Sequence, residues 1–262
     1  MKENGAGPSV RSARQKVITD FVLERGSGTA AELAQLTSVS VMTVHRDLDE
    51  LARQGIVRRY RGGASAQPNS VFESNIEFRL RSGRREKTAI AEVAREAIEP
   101  GMSILLDDAS TTLALARKLR GIEPLTVVTN YLGAQNALRD VPGIRLIGLG
   151  GLYHATHDSF NGVGCLEALS VLTVDIAFVS TSSMTATMTY HQEQEIVAVK
   201  RAMLVSAERT VLLMDSSKGG RRALHRVAPM SDFDLLVTDS GLDPEMLAEM
   251  RSGPTRVEVA QL

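Results

Sequence analysis

The sequence predicts an α/β protein in two parts, an N-terminal winged helix-turn-helix and a larger C-terminal domain on a Rossmann-like parallel sheet. Three observations carry that expectation. Residues 29–64 (TAAELAQLTSVSVMTVHRDLDELARQGIVRRYRGGA) hold two short amphipathic helical patterns around a polar turn, then an arginine-rich hairpin. From Met102 onward, apolar runs that read as buried strands alternate with helical patterns, as in a parallel sheet covered on both faces. Nearly every such run closes on Ser, Thr, Asp, Asn, Gly or Lys, at the carboxyl edge where open α/β sheets bind ligands.

Residues 1–10 are rich in Gly, Ser and Pro and are expected to be disordered. Arg14 to Arg25, with Val17, Ile18, Phe21 and Val22 apolar, predicts a first helix packed under the next two. Thr29 and Glu32 form a capping box at the start of a helix carrying Ala31, Leu33, Ala34 and Leu36. Thr37-Ser38-Val39-Ser40 breaks the period, and Ser40 caps the next helix, where Val41, Val44, Leu48 and Leu51 share an apolar face. The opposite face carries Met42, Thr43, His45, Arg46 and Asp49.

The second helix of such a pair enters the major groove by its N-terminal residues, so Ser40, Met42, Thr43, His45 and Arg46 are the candidate base readers. Gly55 reads as the residue that stops this helix. Arg58, Arg59 and Arg61, on a hairpin turning at Gly62-Gly63, are candidate phosphate contacts. Taken singly, helix pairs are common, the arginines also suit a solvated strand face, and His45 an exposed helical position. In this order and within about forty residues, the pieces agree at every level. We therefore expect a DNA-binding domain over 11–64, a linker over 65–74 and a second domain over 75–262.

In the second domain a helix from Arg84 to about Ile98 precedes a strand at Met102–Leu106. The polar stretch Asp107-Asp108-Ala109-Ser110-Thr111-Thr112 leads into a helix through Leu119. Further strands are expected at Leu125–Thr129, Ile144–Leu149, Ile176–Val179, Thr210–Met214 and Leu235–Asp239, with a helix reaching about Arg139 after the first of them. The turn from Asp108 to Thr112 offers hydroxyls and helix amides to a phosphate, and Lys218 adds a point charge. Ser and Thr there also suit plain helix caps, and Asp215 and Asp239 suit ordinary strand-end turns. His154, His157 and Asp158 share one loop, but two histidines three apart with no partner motif read as polar surface, so no metal and no cofactor is expected.

Composition narrows the class. The chain has 262 residues and a formal charge of −1, unevenly spread: ten lysines and arginines against seven acids up to Ser70, then twenty against twenty-four. A weakly basic module on an acidic body fits sequence-read DNA better than bulk polyanion coating. A single cysteine, Cys165, excludes an internal disulfide and a Cys-rich zinc site. No apolar run spans a membrane and the first residues lack a signal-peptide core, so a cytoplasmic protein with no membrane partner is expected.

From Arg14 to about Asp239 the sequence resembles the DeoR family of bacterial transcriptional regulators. Ser40-x-x-Thr43-Val44-His45-Arg46-Asp47-Leu48, then Leu51, Gly55 and Arg59-x-Arg61-Gly62-Gly63-Ala64, matches the family's DNA-binding pattern, with His45 where arginine is usual. Arg85-x-Lys87, Ile90-Ala91, Asp108 to Thr112, Thr129-Asn130, Gly150-Gly151, Glu195 with Lys200-Arg201-x-Met203, Asp215-Ser216-Ser217-Lys218 and Thr238-Asp239 resemble its sensor domain. Two departures stand out: Ala109-Ser110 replaces the glycine usual beside the threonines, and Ser180–Met184 lacks the glycine many members carry. The resemblance implies a fold similar to ribose-5-phosphate isomerase and a phosphorylated sugar or polyol as effector.

The function expected is a sequence-specific regulator, a repressor of a sugar or polyol catabolic operon, released from double-stranded operator DNA by a phosphorylated sugar and acting as a homo-oligomer (dimer or tetramer). Ser110, Thr111, Thr112 and Lys218 are the phosphate candidates. Asn130, Glu195 and Asp215 are placed at effector hydroxyls or at shaping the pocket, Asp108, Gly150 and Gly151 are further effector-binding candidates, and Glu195 also suits a surface helix position paired with a cation. A competing class is an isomerase-like enzyme with an appended DNA module, for which Asp108, Glu195 and Asp215 are nominal acid or base groups without a clear constellation. A third is a protein-interaction scaffold, which predicts neither operator retention nor protection by sugar phosphates.

Overall fold

The computed structural model describes residues 10–53, 56–66 and 76–262. By its contacts the chain divides into two compact units, Met1–Ser82 and Gly83–Leu262.

The first unit orders as α1 (Val10–Arg25), β1 (Ser27–Thr29), α2 (Ala30–Thr37), α3 (Val41–Arg53), β2 (Val57–Tyr60), β3 (Gly63–Ala66) and α4 (Ile76–Arg81). The expected capping box forms: Thr29 N–H and hydroxyl donate to Glu32 Oε2 at 2.8 and 2.7 Å, and Glu32 N–H donates to Thr29 Oγ1 at 3.2 Å. Ser38, left-handed at φ 54°, ends α2 with its N–H shared between Ala34 and Gln35 carbonyls. Ile18, Val22, Leu33, Val44, Leu48, Leu51 and Val57 form one core. Val41, expected on that apolar face, is instead 44% exposed at the first turn of α3. Further along the same helix, the charged Asp47 is buried to 1%.

The wing is a three-stranded antiparallel sheet in the order β1-β3-β2, its first strand too short and small-residued to read from sequence. Gly63 is required: a Cβ there would lie 2.4 Å from the Gly28 carbonyl oxygen on β1. Ser65 and Ala66, expected in the linker, belong to β3, and Gly55 with most of that linker lies outside the described residues. The sensor was expected to begin at 75, yet α4 belongs to the first unit, where Arg81 Nη1 donates to Asp20 of α1 at 2.6 Å.

The second unit orders as α5 (Arg84–Arg95), β4 (Ser103–Leu106), α6 (Ser110–Ala116), β5 (Leu125–Thr129), α7 (Leu132–Leu138), β6 (Ile144–Gly148), β7 (Leu152–His154), β8 (Ser159–Asn161), α8 (Val163–Ser170), β9 (Val174–Val179), β10 (Ser183–Met184), β11 (Met188–His191), α9 (Gln194–Val205), β12 (Ala207–Leu213), β13 (His225–Pro229), β14 (Leu235–Asp239), α10 (Pro244–Arg251) and β15 (Arg256–Ala260). Seven parallel strands run β15-β14-β12-β9-β4-β5-β6. Ile104, Leu105 and Leu106 are all fully buried, so successive side chains on opposite faces of β4 are both covered. On one face Leu105, Val128, Ala177 and Val179 pack with Cys165 and Leu169 of α8 and Val199 and Met203 of α9.

The chain starts at β4, moves outward to β5 and β6, then returns to β9 on the other side of β4. That reversal makes β4/β9 the switch point, where the loops from the two carboxyl ends part and leave a crevice. The additions that were not legible include β15, a β7–β8 hairpin, and a small antiparallel sheet β10-β11-β13, all of two to five residues per strand.

Candidate functional site

The first unit presents the amino end of α3. Ser40 caps it, its Oγ accepting from Thr43 N–H at 3.2 Å and lying 2.9 Å from the Thr43 hydroxyl. Met42 is 63% exposed beside Val41, and Arg46 is exposed on the same polar side. Exposed methyl-bearing side chains at a helix start can meet thymine methyls, so Val41 joins the candidates the sequence supplied. Of the wing arginines, Arg58 and Arg61 are exposed. Arg59 is bound back to α3, with Nη2 2.9 Å from His45 Nδ1 and Nε 3.2 Å from Asp49 Oδ1. His45 and Arg59 therefore fix the wing against the helix, leaving Arg58 and Arg61 as the unencumbered pair among the candidate arginines of the hairpin.

Beneath this surface, Asp47 accepts from Arg14 Nε at 2.6 Å, Arg14 Nη2 at 3.2 Å and Gln15 Nε2 at 3.3 Å, with Arg11 at 3.6 Å. The hydrogen bond to Asp47 holds the Arg14 guanidinium above its ordinary pKa. Sequence reasoning placed Asp47 in a motif without a task; its task is to lock α1 onto α3.

In the second unit the switch point is filled by a charged knot. Asp107 Oδ1 accepts from Ala109 N–H at 3.1 Å and the Thr112 hydroxyl at 2.9 Å. Its Oδ2 accepts from Ser180 N–H at 2.7 Å and Lys200 Nζ at 2.5 Å. Lys200, reaching in from α9, also donates to Asp108 Oδ1 at 3.0 Å, while Asp108 Oδ2 accepts from Ser159 Oγ at 2.8 Å. All three charged groups are buried. Burial alone would lower the Lys200 pKa; the two carboxylates outweigh it and keep the ammonium above its ordinary value. Lys200 was read only as part of a motif, because no pattern in the sequence shows a lysine that a helix aims inward.

The expected effector residues separate into groups. Thr112 and Asp108 are engaged in the knot. Ser110 and Thr111 are buried in the first turn of α6, and Thr111 Oγ1 has no hydrogen-bond partner among the described residues. Asn130 is buried, donates to the Phe160 carbonyl at 2.8 Å and leaves its Oδ1 unpartnered. Asp215 lies buried after β12; burial would raise its pKa, but Lys218, Lys87 and the Ser217 hydroxyl hold it below the ordinary carboxylate range. Lys218 Nζ stands 3.9 Å from Asp215 Oδ2 and 3.2 Å from Ser180 Oγ. These groups occupy the carboxyl ends of β4, β5, β9 and β12.

Three expectations do not join them. Glu195 is exposed on the first turn of α9. Gly150 has open space where a side chain would start, and Gly151, at φ 138°, lies where a Cβ would meet the Asn161 carbonyl at 2.4 Å, a packing reason for glycine. Asp239 accepts from Gly241 N–H at 2.9 Å in its own turn and from Ser216 N–H at 2.7 Å, so its carboxylate is engaged in tying the end of β14 to the loop after β12. His157, read as polar surface, is fully buried with Nε2 2.9 Å from Glu193 Oε1. Burial, and secondarily the nearby Asp108, raises the Cys165 thiol pKa to about 11, which keeps it unreactive.

Residues 14–69 match the DeoR-like helix-turn-helix domain, and residues 82–240 match the DeoR C-terminal sensor domain. The chain belongs to the DeoR family. An uncharacterized HTH-type transcriptional regulator of Escherichia coli K12, YgbI, is 34% identical over 229 residues, 87% of this chain and 90% of that protein. The glycerol-3-phosphate regulon repressor of the same strain is 30% identical over 88% of this chain and 91% of its own length. Among solved structures, ribose 5-phosphate isomerase A of Methanocaldococcus jannaschii covers 53% of this chain and 55% of its own at 19% identity, with a TM-score of 0.39. This DeoR-family regulator thus joins a helix-turn-helix domain to a sensor domain, and no helix among its described residues is long and apolar enough to cross a membrane.

Proposed function

We propose that this regulator represses a sugar or polyol catabolic operon and leaves its operator when a phosphorylated sugar or polyol binds at the strand ends of the sensor. The observation that carries the reading is the gathering of Thr111, Asn130, Ser180, Asp215 and Lys218 around the β4/β9 switch point. Buried polar atoms without a hydrogen-bond partner among the described residues, such as Thr111 Oγ1 and Asn130 Oδ1, suit a ligand rich in hydroxyl and phosphoryl oxygens. Lys218 supplies the point charge for the phosphate, with Ser110 and Thr111 beside it. The related glycerol-3-phosphate regulon repressor supports this class of effector.

Because Lys200 is consumed in neutralising Asp107 and Asp108, the crevice holds no unengaged acid–base pair among these groups, and we propose a sensor without turnover. DNA contact is assigned to Ser40, Val41, Met42, Thr43 and Arg46 at bases and to Arg58 and Arg61 at phosphates. A homo-oligomer in the cytoplasm would bring two such helices to a repeated operator. Effector and operator then favour different states and weaken each other by the same factor.

The test is a thermal-shift panel of phosphorylated sugars and polyols, followed by operator release with any that stabilise. One phosphorylated compound that raises the unfolding temperature and releases operator, while its dephosphorylated form does neither, is expected. Stabilisation by unphosphorylated sugars alone would remove Lys218 from its role, and tighter operator binding with effector would overturn release by the effector.

A further inference from the structure

Outside the proposed effector crevice, His154 at the end of β7, His157 in the β7–β8 turn and Glu193 before α9 bring three donor atoms within 4.8 Å of one another. His157 Nε2 is 2.9 Å from Glu193 Oε1, and His154 Nε2 is 3.7 Å from Glu193 Oε2. We propose that these residues form a three-ligand site for a divalent transition metal of the Zn²⁺ class.

Four features support it. With metal–ligand bonds of about 2.0–2.1 Å, neighbouring donors in a tetrahedral site stand about 3.3 Å apart; the two imidazole–carboxylate separations, each to a different oxygen of Glu193, lie on either side of that value. The set is two imidazoles and one carboxylate, a mixture that suits Zn²⁺ and similar ions and not Ca²⁺ or Mg²⁺, which take oxygen shells. The His154 ring makes no hydrogen bond among the described residues: its Nδ1 is buried without one, and its Nε2, 3.7 Å from Glu193 Oε2, is beyond hydrogen-bond range. Glu193 is also oriented from behind, since its N–H donates to His191 Nδ1 at 3.1 Å, and the His191 ring centroid lies 5.8 Å from that of His157. A bare His157–Glu193 hydrogen bond accounts for one of these contacts and leaves His154 unexplained.

A metal bound here would take the place of the His157–Glu193 hydrogen bond, with His157 coordinating through Nε2 and its single ring proton on Nδ1. Three protein ligands leave a fourth position for water or for an oxygen of a small molecule. The site is tied to the sensor's centre through the chain, because Ser159, two residues after His157, donates to Asp108.

Full-length protein stripped with a chelator and desalted is titrated with Zn²⁺ and, separately, with Co²⁺. The expected result is one equivalent of Zn²⁺ retained per chain after a second desalting, a visible Co²⁺ absorption of the four-coordinate kind, and a raised unfolding temperature. His154→Gln and Glu193→Gln keep side-chain volume and should each lower Zn²⁺ affinity by more than the roughly ten- to hundredfold that loss of an outer-shell partner costs. Failure of the wild-type protein to retain Zn²⁺ overturns the proposal without reference to any variant. Equal retention by wild type and both variants overturns it as well, since the ion then sits elsewhere. Neither outcome bears on the phosphorylated effector, which is assayed on the metal-free protein.

Discussion

The two units each bury a carboxylate to join elements distant in sequence, and they do so under different dielectric conditions. In the helix-turn-helix unit, Asp47 is buried but its main partner Arg14 keeps 18% of its side chain exposed, so the pair stays in touch with water. In the sensor, Lys200, Asp107 and Asp108 show 3% or less of their side chains, and the loss of one charge leaves the others without hydration. A semi-exposed pair tolerates damage; a sealed triad transmits it. The same contrast separates Arg58, exposed on the wing, from Thr111, sealed in the crevice.

Lys200→Met should have the largest effect, since it strands two buried carboxylates. A loss of about 3–5 kcal/mol is expected in the urea unfolding of the sensor unit, with the helix-turn-helix transition unmoved. A loss near zero would show that the two carboxylates do not depend on Lys200. Asp47→Asn keeps the shape and removes the charge, and about 2 kcal/mol should disappear from the first unit, because Arg14 can turn to water. An effect as large as that of Lys200→Met would erase the distinction between the two networks.

Thr111→Val tests the crevice from the other side. A buried hydroxyl with no partner among the described residues contributes little to folding, so stability should change by less than about 0.5 kcal/mol while effector affinity falls about tenfold. A marked loss of stability would reveal a protein-internal task for that hydroxyl. The smallest effect is on the wing: Arg58→Ala should weaken all DNA sequences alike and reduce the slope of log affinity against log salt by about 1. Arg59→Ala, which removes the tie to His45 and Asp49, should instead change preference among operators; a plain slope change would return Arg59 to the phosphates.

Much of this was legible in the chain because it rests on local chemistry. The Thr29/Glu32 box, the Ser40 cap and the Val44, Leu48, Leu51 stripe depend on neighbours three or four positions apart, and the apolar strands with polar ends depend on a period of two and a burial on both faces. The β7–β8 hairpin and β15 escaped notice, being short and lacking continuous apolar runs. Glu195, expected at the effector, is exposed while Glu193 meets His157, because two residues along the start of a helix rotate a side chain by more than half a turn, and only the fold shows which one faces inward.

The sequence by itself determined two domains, the recognition helix and the strand ends where a ligand would sit, since propensity, capping and hydrophobic period are properties of consecutive residues. Tertiary structure decided which polar side chains are available. Asp108, Thr112, His45 and Arg59 are engaged within the protein, Lys200 is drawn to the centre, and His154, His157 and Glu193 meet across a gap of almost forty residues. The reason is physical: a buried polar atom takes whatever partner folding places within about 3 Å, and chain separation says nothing about that distance.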